Sequence, residues 1–363
     1  MKRIKVDLKE RSYEILIGTG VLSKLENALK KLKLGKVAIV VSNPTVNRLH
    51  GNLLSEALKG LGLGLYFEEV PDTEESKSSK QCLKLVERFA DLDKGRGIFV
   101  IAFGGGVIGD LAGFCASVYR RGVPYIQIPS TLLAQVDSSI GGKVAIDLPC
   151  GKNLIGSFYQ PRLVLSDINL LSSLNPAQIK QALGEIIKYA VIADKRLFGF
   201  LEKELNGILQ LKPKKLISVI ETCAQIKAGI VEQDETDNKD KRIILNFGHT
   251  TGHALEAASS YSQACPHGDA VALGMLVACE IAKQLKMTSA KTAQRIETLI
   301  VKAGLPSKIS GLKLGNILKA QAHDKKFSNG KNRFVLPVRI GKVVVRENVP
   351  EAVIVKAIKS RMS

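Results

Sequence analysis

An α/β domain built on a parallel sheet, followed by a mostly α-helical domain, is the architecture expected of this 363-residue chain. Three features point to it. The runs "KVAIVV" (residues 36–41) and "GIFVIAF" (97–103) are apolar without polar alternation, as in strands covered on both faces. These runs alternate with stretches of helical apolar spacing, the pattern of a parallel sheet flanked by helices. Beyond about residue 175 helical spacing prevails, apart from a short β pattern near the C-terminal end.

Taken in order, residues 2–7 and 13–18 alternate enough to form a pair of strands. Residues 21–32 are helical, and the strand at 36–41 is bounded by Gly35 and by Asn43-Pro44. A helix at 52–59, an extended stretch at 63–69 and an amphipathic helix at 78–91 lead to the second buried strand. Residues 125–128 and 163–166 complete the strand set. The boundary is expected near 172–176, giving an α/β domain over 1–175 and a helical domain over 176–363. Helices are expected there at 176–191, 197–205, 213–232, 249–259, 270–285 and 291–303, and a hairpin over 333–346.

Bulk properties exclude several classes. Hydrophobic content of 45% and charge of 24% are those of a soluble globular chain. The charged first thirteen residues do not resemble a signal peptide. The most apolar window, 97–114, is broken by Asp110 and glycines, so no membrane span is expected. Six cysteines without a CxxC pair fit reduced thiols and a cytoplasmic protein. The net charge of +19 comes from dispersed lysines with 5% aromatic residues, which argues against a nucleic-acid partner and leaves room for a small anionic substrate.

Chemistry concentrates in "NFGHTTGHALEAASSYSQACPH", residues 246–267, which holds three of the five histidines. His249 and His253 are four apart, so on a helix they share a face and both suit a transition metal. Gly248 and Gly252 permit close backbone approach, and His267 can return as another ligand. Thr250 stands where HExxH would need its glutamate, so a zinc peptidase is excluded. In "LGEIIKYA" (183–190), Glu185 lies on an apolar face one turn from Lys188. It can form an ion pair there or join two histidines in an open metal site. "FGGGVIGDLAG" (103–113) is a glycine turn after a buried strand. It serves a pyrophosphate or a plain tight turn equally well, and it is not a P-loop. Gly141-Gly142-Lys143 and Gly151-Lys152-Asn153 read as two flexible turns, each presenting a lysine, with Asp137 close by.

Together "GGGVIGDLAGF", "STLLAQVDSSIGGK", "GKNLIGSFYQP", "EIIKYA", "LNFGHTTGHALE" and "HGDAVALGM" resemble the 3-dehydroquinate synthase family over nearly the whole chain. The resemblance implies a Rossmann-like NAD-binding α/β domain and a helical domain that binds metal and substrate. It implies conversion of 3-deoxy-D-arabino-heptulosonate 7-phosphate to 3-dehydroquinate and phosphate, a step of the shikimate pathway. NAD+ and Zn2+ or Co2+ would be cofactors, an oxidation would be undone before release, and the protein would be a homodimer.

The same resemblance assigns the metal to Glu185, His249 and His267, leaving His253 to the substrate. It assigns NAD to Asn43, to Asp72, Thr73, Glu74, Glu75, Ser76 and Lys77, and to Gly105, Gly106, Val107, Ile108, Gly109 and Asp110. Ser130, Thr131, Lys143, Lys152, Leu170, Leu171, Ser172 and Ser173 complete that set. Substrate would meet Arg121, Asp137, Lys143, Asn153, Lys188, Lys227, Arg242, Asn246, His253, His267 and Lys326 of the Lys325-Lys326 pair. The chain departs from the family at Ser130, where threonine is usual, and at Asp147, where asparagine is usual. In "DETDNKDKR" (234–242), one residue is added and a glycine is missing, which bears on the aim of Arg242. Other sugar phosphate cyclases share this chemistry. A metal-dependent polyol dehydrogenase of related fold would lack the lysine pair and release NADH.

Overall fold

The structure is a computed structural model, and it describes residues 1–149, 151–261, 264–322 and 332–363. Contacts gather these residues into two units, Met1–Asn175 with Pro213–Thr236, and Pro176–Lys212 with Asp237–Ser363.

The strands of the first unit are β1 (Lys2–Val6), β2 (Tyr13–Gly18), β3 (Val37–Ser42), β4 (Gly64–Glu69), β5 (Ile98–Gly104), β6 (Tyr125–Pro129), β7 (Lys143–Leu148), β8 (Gly151–Phe158) and β9 (Leu163–Asp167). Seven of them form one sheet in the order β1-β2-β9-β6-β5-β3-β4, while β7 and β8 pair with each other. All neighbours in the large sheet run parallel except the edge strand β1, which is antiparallel to β2. The unbroken apolar runs have the expected cause. Val37, Ile39 and Val41 enter one core with Phe89 and Tyr125, whereas Ala38 and Val40 enter another with Leu54 and Phe99. Successive side chains of a strand face opposite ways, so a strand covered on both faces has no position left for a polar residue.

Helices α1 (Leu25–Leu32), α2 (Pro44–Leu58), α3 (Ser79–Asp93) and α4 (Gly106–Val118) connect these strands. Helix α2 begins eight residues earlier than expected. Asn43-Pro44 is not merely a strand-ending turn: Asn43 accepts the Val46 N–H at 2.8 Å and Pro44 takes the first helical position. The order reverses at β3, with β4 on one side and β5 on the other. In such sheets ligands bind outside the carboxyl ends at that point.

After α5 (Pro176–Ala193) and α6 (Lys195–Leu209) of the second unit, the chain returns to the first as α7 (Pro213–Gln233). The expectation of one cut between 175 and 176 is therefore corrected for this helix. Its apolar face packs on β1 and β2 and on the turn Ala134–Ser138. A second correction concerns residues 143–158. Lys143 opens β7 and Lys152 lies in β8, so both lysines belong to a hairpin ladder rather than to flexible turns.

The rest of the second unit contains α8 (His249–Ala258), α9 (His267–Gln284), α10 (Ala290–Lys302), α11 (Leu314–Ala322), the hairpin β10 (Arg333–Arg339) and β11 (Lys342–Glu347), and α12 (Glu351–Lys359). Helix α9 is buried nearly all round, as a helix apolar on every side must be. Near the C-terminus Arg361, 7% exposed, donates to Glu280 at 2.7 Å and to Glu297 at 3.1 Å. Among the described residues no helix is long and apolar enough to cross a membrane.

Candidate active site

Three helices of the second unit meet at a cluster of ligand-type side chains. Glu185 of α5 is 1% exposed. His249 opens α8 and His267 opens α9. Two glycine contacts allow this convergence. A Cβ on Gly268 would lie 2.3 Å from the Gln181 carbonyl oxygen, and one on Gly274 would lie 1.9 Å from that of Gly248. Only glycine lets α9 approach α5 and α8 so closely.

The Nε2 atoms of His249 and His267 each lie 3.3 Å from Glu185 Oε1, and the three ligand atoms are within 4.8 Å of one another. Behind the rings, His249 Nδ1 is 3.3 Å from the Phe247 carbonyl oxygen and His267 Nδ1 is 3.3 Å from Glu256 Oε2. Each Nδ1 faces an acceptor, so in the neutral ring the proton belongs on Nδ1 and the Nε2 lone pair is left to face inward. Two imidazoles and one carboxylate fit a divalent transition metal and leave positions open for substrate.

The electrostatics fit a cation as well. Burial alone would raise Glu185, but the Lys188 ammonium against its Oε2 and the two histidines hold it well below the usual carboxylate range. Burial pushes His267 down, yet Glu185 and Glu256 outweigh it and bring it up to about 10. Burial is the larger influence on His249 and lowers it. His253 projects beside the cluster, its ring 5.2 Å from that of His249 and 6.5 Å from that of His267. It is exposed and outside the three-residue group, so of the two histidines that helical spacing singled out, His249 is a member of the cluster and His253 a neighbour. Arg242 is buried at 2% and opens the short helix Arg242–Asn246 against α5. Lys326 lies outside the described residues.

In the first unit the residues expected to meet NAD gather at the carboxyl ends of the parallel strands. Asn43 follows β3 and donates to Asp72 at 2.9 Å. Thr73 precedes the short helix Glu74–Ser76, with Glu75 inside it, and Lys77 follows. Gly105 precedes α4, so Gly106, Val107, Ile108, Gly109 and Asp110 form its first turn. Ser130 and Thr131 follow β6, where the Ser130 N–H donates to the Gly104 carbonyl at 2.9 Å. Leu170, Leu171, Ser172 and Ser173 lie in the short helix Ile168–Ser173 after β9. Lys77, 4% exposed, donates to Asp110 at 2.8 Å and to Asn153 at 2.6 Å. Lys152 pairs with Glu74 at 3.6 Å, while Lys143 is exposed at the start of β7. Asp137 pairs with Lys227 of α7 at 3.0 Å.

Arg121 is not gathered with this group. It lies beyond the far end of the thirteen-residue α4, a helix ~20 Å long at 1.5 Å per residue. Glu256 is the residue that sequence reasoning missed. It follows His253 by one helical turn, but its role depends on His267, which arrives from another helix.

The chain is similar to known proteins over nearly its whole length. The family model described as 3-dehydroquinate synthase N-terminal matches residues 68–181, and the C-terminal one matches 182–327. A 3-dehydroquinate synthase of Desulforamulus reducens is 45% identical over 353 residues, covering 97% of this chain and 98% of the relative. A crystal structure of 2-deoxy-scyllo-inosose synthase complexed with carbaglucose-6-phosphate, NAD+ and Co2+ superposes with a TM-score of 0.90 at 27% identity, covering 99% of this chain and 100% of that one. A 2-epi-5-epi-valiolone synthase from Streptomyces hygroscopicus subsp. jinggangensis, with NAD+ and Zn2+ bound, superposes with a TM-score of 0.88 at 25% identity and 98% coverage of both chains.

Proposed function

This chain belongs to the 3-dehydroquinate synthase family, and from that premise we propose that it converts 3-deoxy-D-arabino-heptulosonate 7-phosphate to 3-dehydroquinate and phosphate, using NAD+ and Zn2+ or Co2+. The observation that carries the proposal is the convergence of two imidazole Nε2 atoms on one Glu185 oxygen, each at 3.3 Å, with both Nδ1 atoms satisfied behind them. Glu185, His249 and His267 would hold the metal, and the carboxyl-end crevice of the sheet would hold NAD+. When bound, the two would supply a reversible oxidation and polarisation of the hydroxyl being oxidised.

The other tasks fall to side chains. Lys188, 2% exposed against Glu185, keeps that carboxylate ionised and oriented. Lys227, held by Asp137 at 3.0 Å, and the lysines of the β7–β8 hairpin are suited to the carboxylate and phosphate that such a substrate carries. His253, exposed beside the three ligands, is suited to donate a proton as charge builds on a leaving phosphate. A cytoplasmic homodimer completes the proposal, and sedimentation in solution reads the assembly.

Incubation with the heptulosonate phosphate, NAD+ and Zn2+, following phosphate and absorbance at 340 nm together, tests the activity. Phosphate release without accumulating NADH is the expected result. NADH accumulating with turnover would select the polyol dehydrogenase, and the absence of both signals would overturn the proposal.

A further inference from the structure

Asp147 is a residue to which the proposed reaction assigns no task, yet it joins two of the residue groups that reaction needs. It sits at an irregularity of the β7–β8 hairpin. The ladder pairs Ile146 with Ile155 and Leu148 with Gly151, and its register shifts between them. One β7 residue, Asp147, thus faces three of β8, residues 152–154, and a bulge of this kind takes residues out of the ladder and re-aims them. The Asp147 N–H donates instead to the Lys77 carbonyl oxygen at 2.6 Å, beside a parallel bridge between Ser78 and Asp147. Its carboxylate accepts the Asn153 N–H at 2.7 Å. Asn153 has φ of 55°, a left-handed backbone that asparagine tolerates but that still benefits from an anchor. The Lys77 ammonium closes the ring by donating to Asn153 Oδ1 at 2.6 Å, and it also donates to Asp110 Oδ2 at 2.8 Å. Burial pulls Lys77 down, but Asp110, Glu74 and Asp147 outweigh it, so the buried cation stays charged.

We propose that Asp147 is a positioning residue, whose carboxylate holds Asn153, in the β8 bulge opposite it, in register with Lys77 and Asp110. The inference rests on the functional reading above, in which Asn153 meets substrate while Lys77 and Asp110 meet the nucleotide. The Asp147 backbone ties the hairpin to Lys77, its carboxylate ties it to Asn153, and the Lys77 ammonium reaches both Asn153 and Asp110. The ring has one member from each group, so loosening it disturbs substrate and cofactor together.

The test compares Asp147→Ala and Asp147→Asn in the full chain. Asparagine keeps the acceptor oxygen and loses only the charge. For Asp147→Ala, kcat/KM falls about ten- to a hundredfold, the loss of one charge-assisted hydrogen bond. The NAD+ Kd rises, and amide exchange of Asn153 accelerates, while the melting temperature barely moves. Asp147→Asn restores kcat/KM to within about fivefold, the range of a half-exposed charge, together with the amide protection. Three outcomes overturn the inference. They are an alanine variant with wild-type kinetics and NAD+ affinity, equal losses in both variants, and a fall in melting temperature with kinetics intact. A wild-type protein without synthase activity would sink the functional reading alone, because NAD+ affinity and Asn153 exchange still report on Asp147.

Discussion

Glu256 offers a direct test of how the metal site is oriented. It is 6% exposed, and its Oε2 lies 3.3 Å from His267 Nδ1, while His267 Nε2 faces Glu185 at 3.3 Å. Glu256→Ala removes the acceptor that keeps the proton on Nδ1. The ring, whose side chain is 36% exposed, then has room to turn, or carries its proton on Nε2 and cannot ligate. Loss of such backing costs about 10–100-fold in metal affinity, ~1.4–2.7 kcal/mol. Glu256→Gln retains an acceptor oxygen and should lie at the low end of that range. Competition of metal-free protein against a chromophoric chelator for Zn2+ measures the loss without turnover. Melting of the metal-free proteins separates it from a folding defect. Equal Zn2+ affinities in wild type, Glu256→Ala and Glu256→Gln would refute the orienting role.

The ligand set has its own tests. Glu185→Ala should lose zinc and activity together, since one of three protein ligands is gone; full zinc stoichiometry after dialysis would contradict this. His249→Ala and His267→Ala should come through purification without zinc. His253→Ala should keep zinc and NAD+ affinity but lose turnover by ~10²-fold, and the reverse pattern of metal content would replace His267 with His253. The C-terminal clamp predicts an acid effect. Hydrogen bonding by Arg361, only partly offset by burial, holds Glu297 below its ordinary 4.5. A carboxylate depressed in the fold adds stability above that value and loses it as pH falls through the folded pKa. The melting temperature of Glu297→Gln should therefore fall less steeply below pH 4.5 than that of wild type, and parallel curves would remove the clamp from acid stability.

What could be read in advance depended on whether the physical cause was local. Strands β3 and β5 were legible because burial on both faces leaves no polar position, and Val40 and Ile101 are indeed fully buried. The β7–β8 hairpin was not, because glycine and lysine around 141–153 satisfy a turn as readily as a ladder. Helix α7 was legible as a helix but not in its packing. A helical pattern shows which face is apolar, never which element will cover it. The site followed the same division. Helical spacing put His249 and His253 on one face, whereas the contact between His267 and Glu185 spans 82 residues and has no periodic signature. The sequence offered His267 as one further possible ligand, and the family motifs were what assigned it to the metal. Glu256 remained hidden because its partner, like that of Asp147, is fixed only by the tertiary structure.

The return of α7 to the first unit has a consequence for any attempt to take the protein apart. The chain passes between units after Asn175, after Lys212 and after Thr236, so each unit is assembled from two stretches of sequence. A fragment ending at Asn175 would expose the surfaces of β1 and β2 that α7 covers and leave Asp137 without Lys227, its partner at 3.0 Å. The complementary fragment would carry α7 with nothing of its own unit to pack on. Expressed separately, the two halves should be insoluble or poorly folded. Expressed together, they should regain activity only if α7 finds the sheet in trans. Two such fragments would amount to a split enzyme whose reassembly is driven by one helix, an arrangement in which turnover reports the meeting of the two pieces.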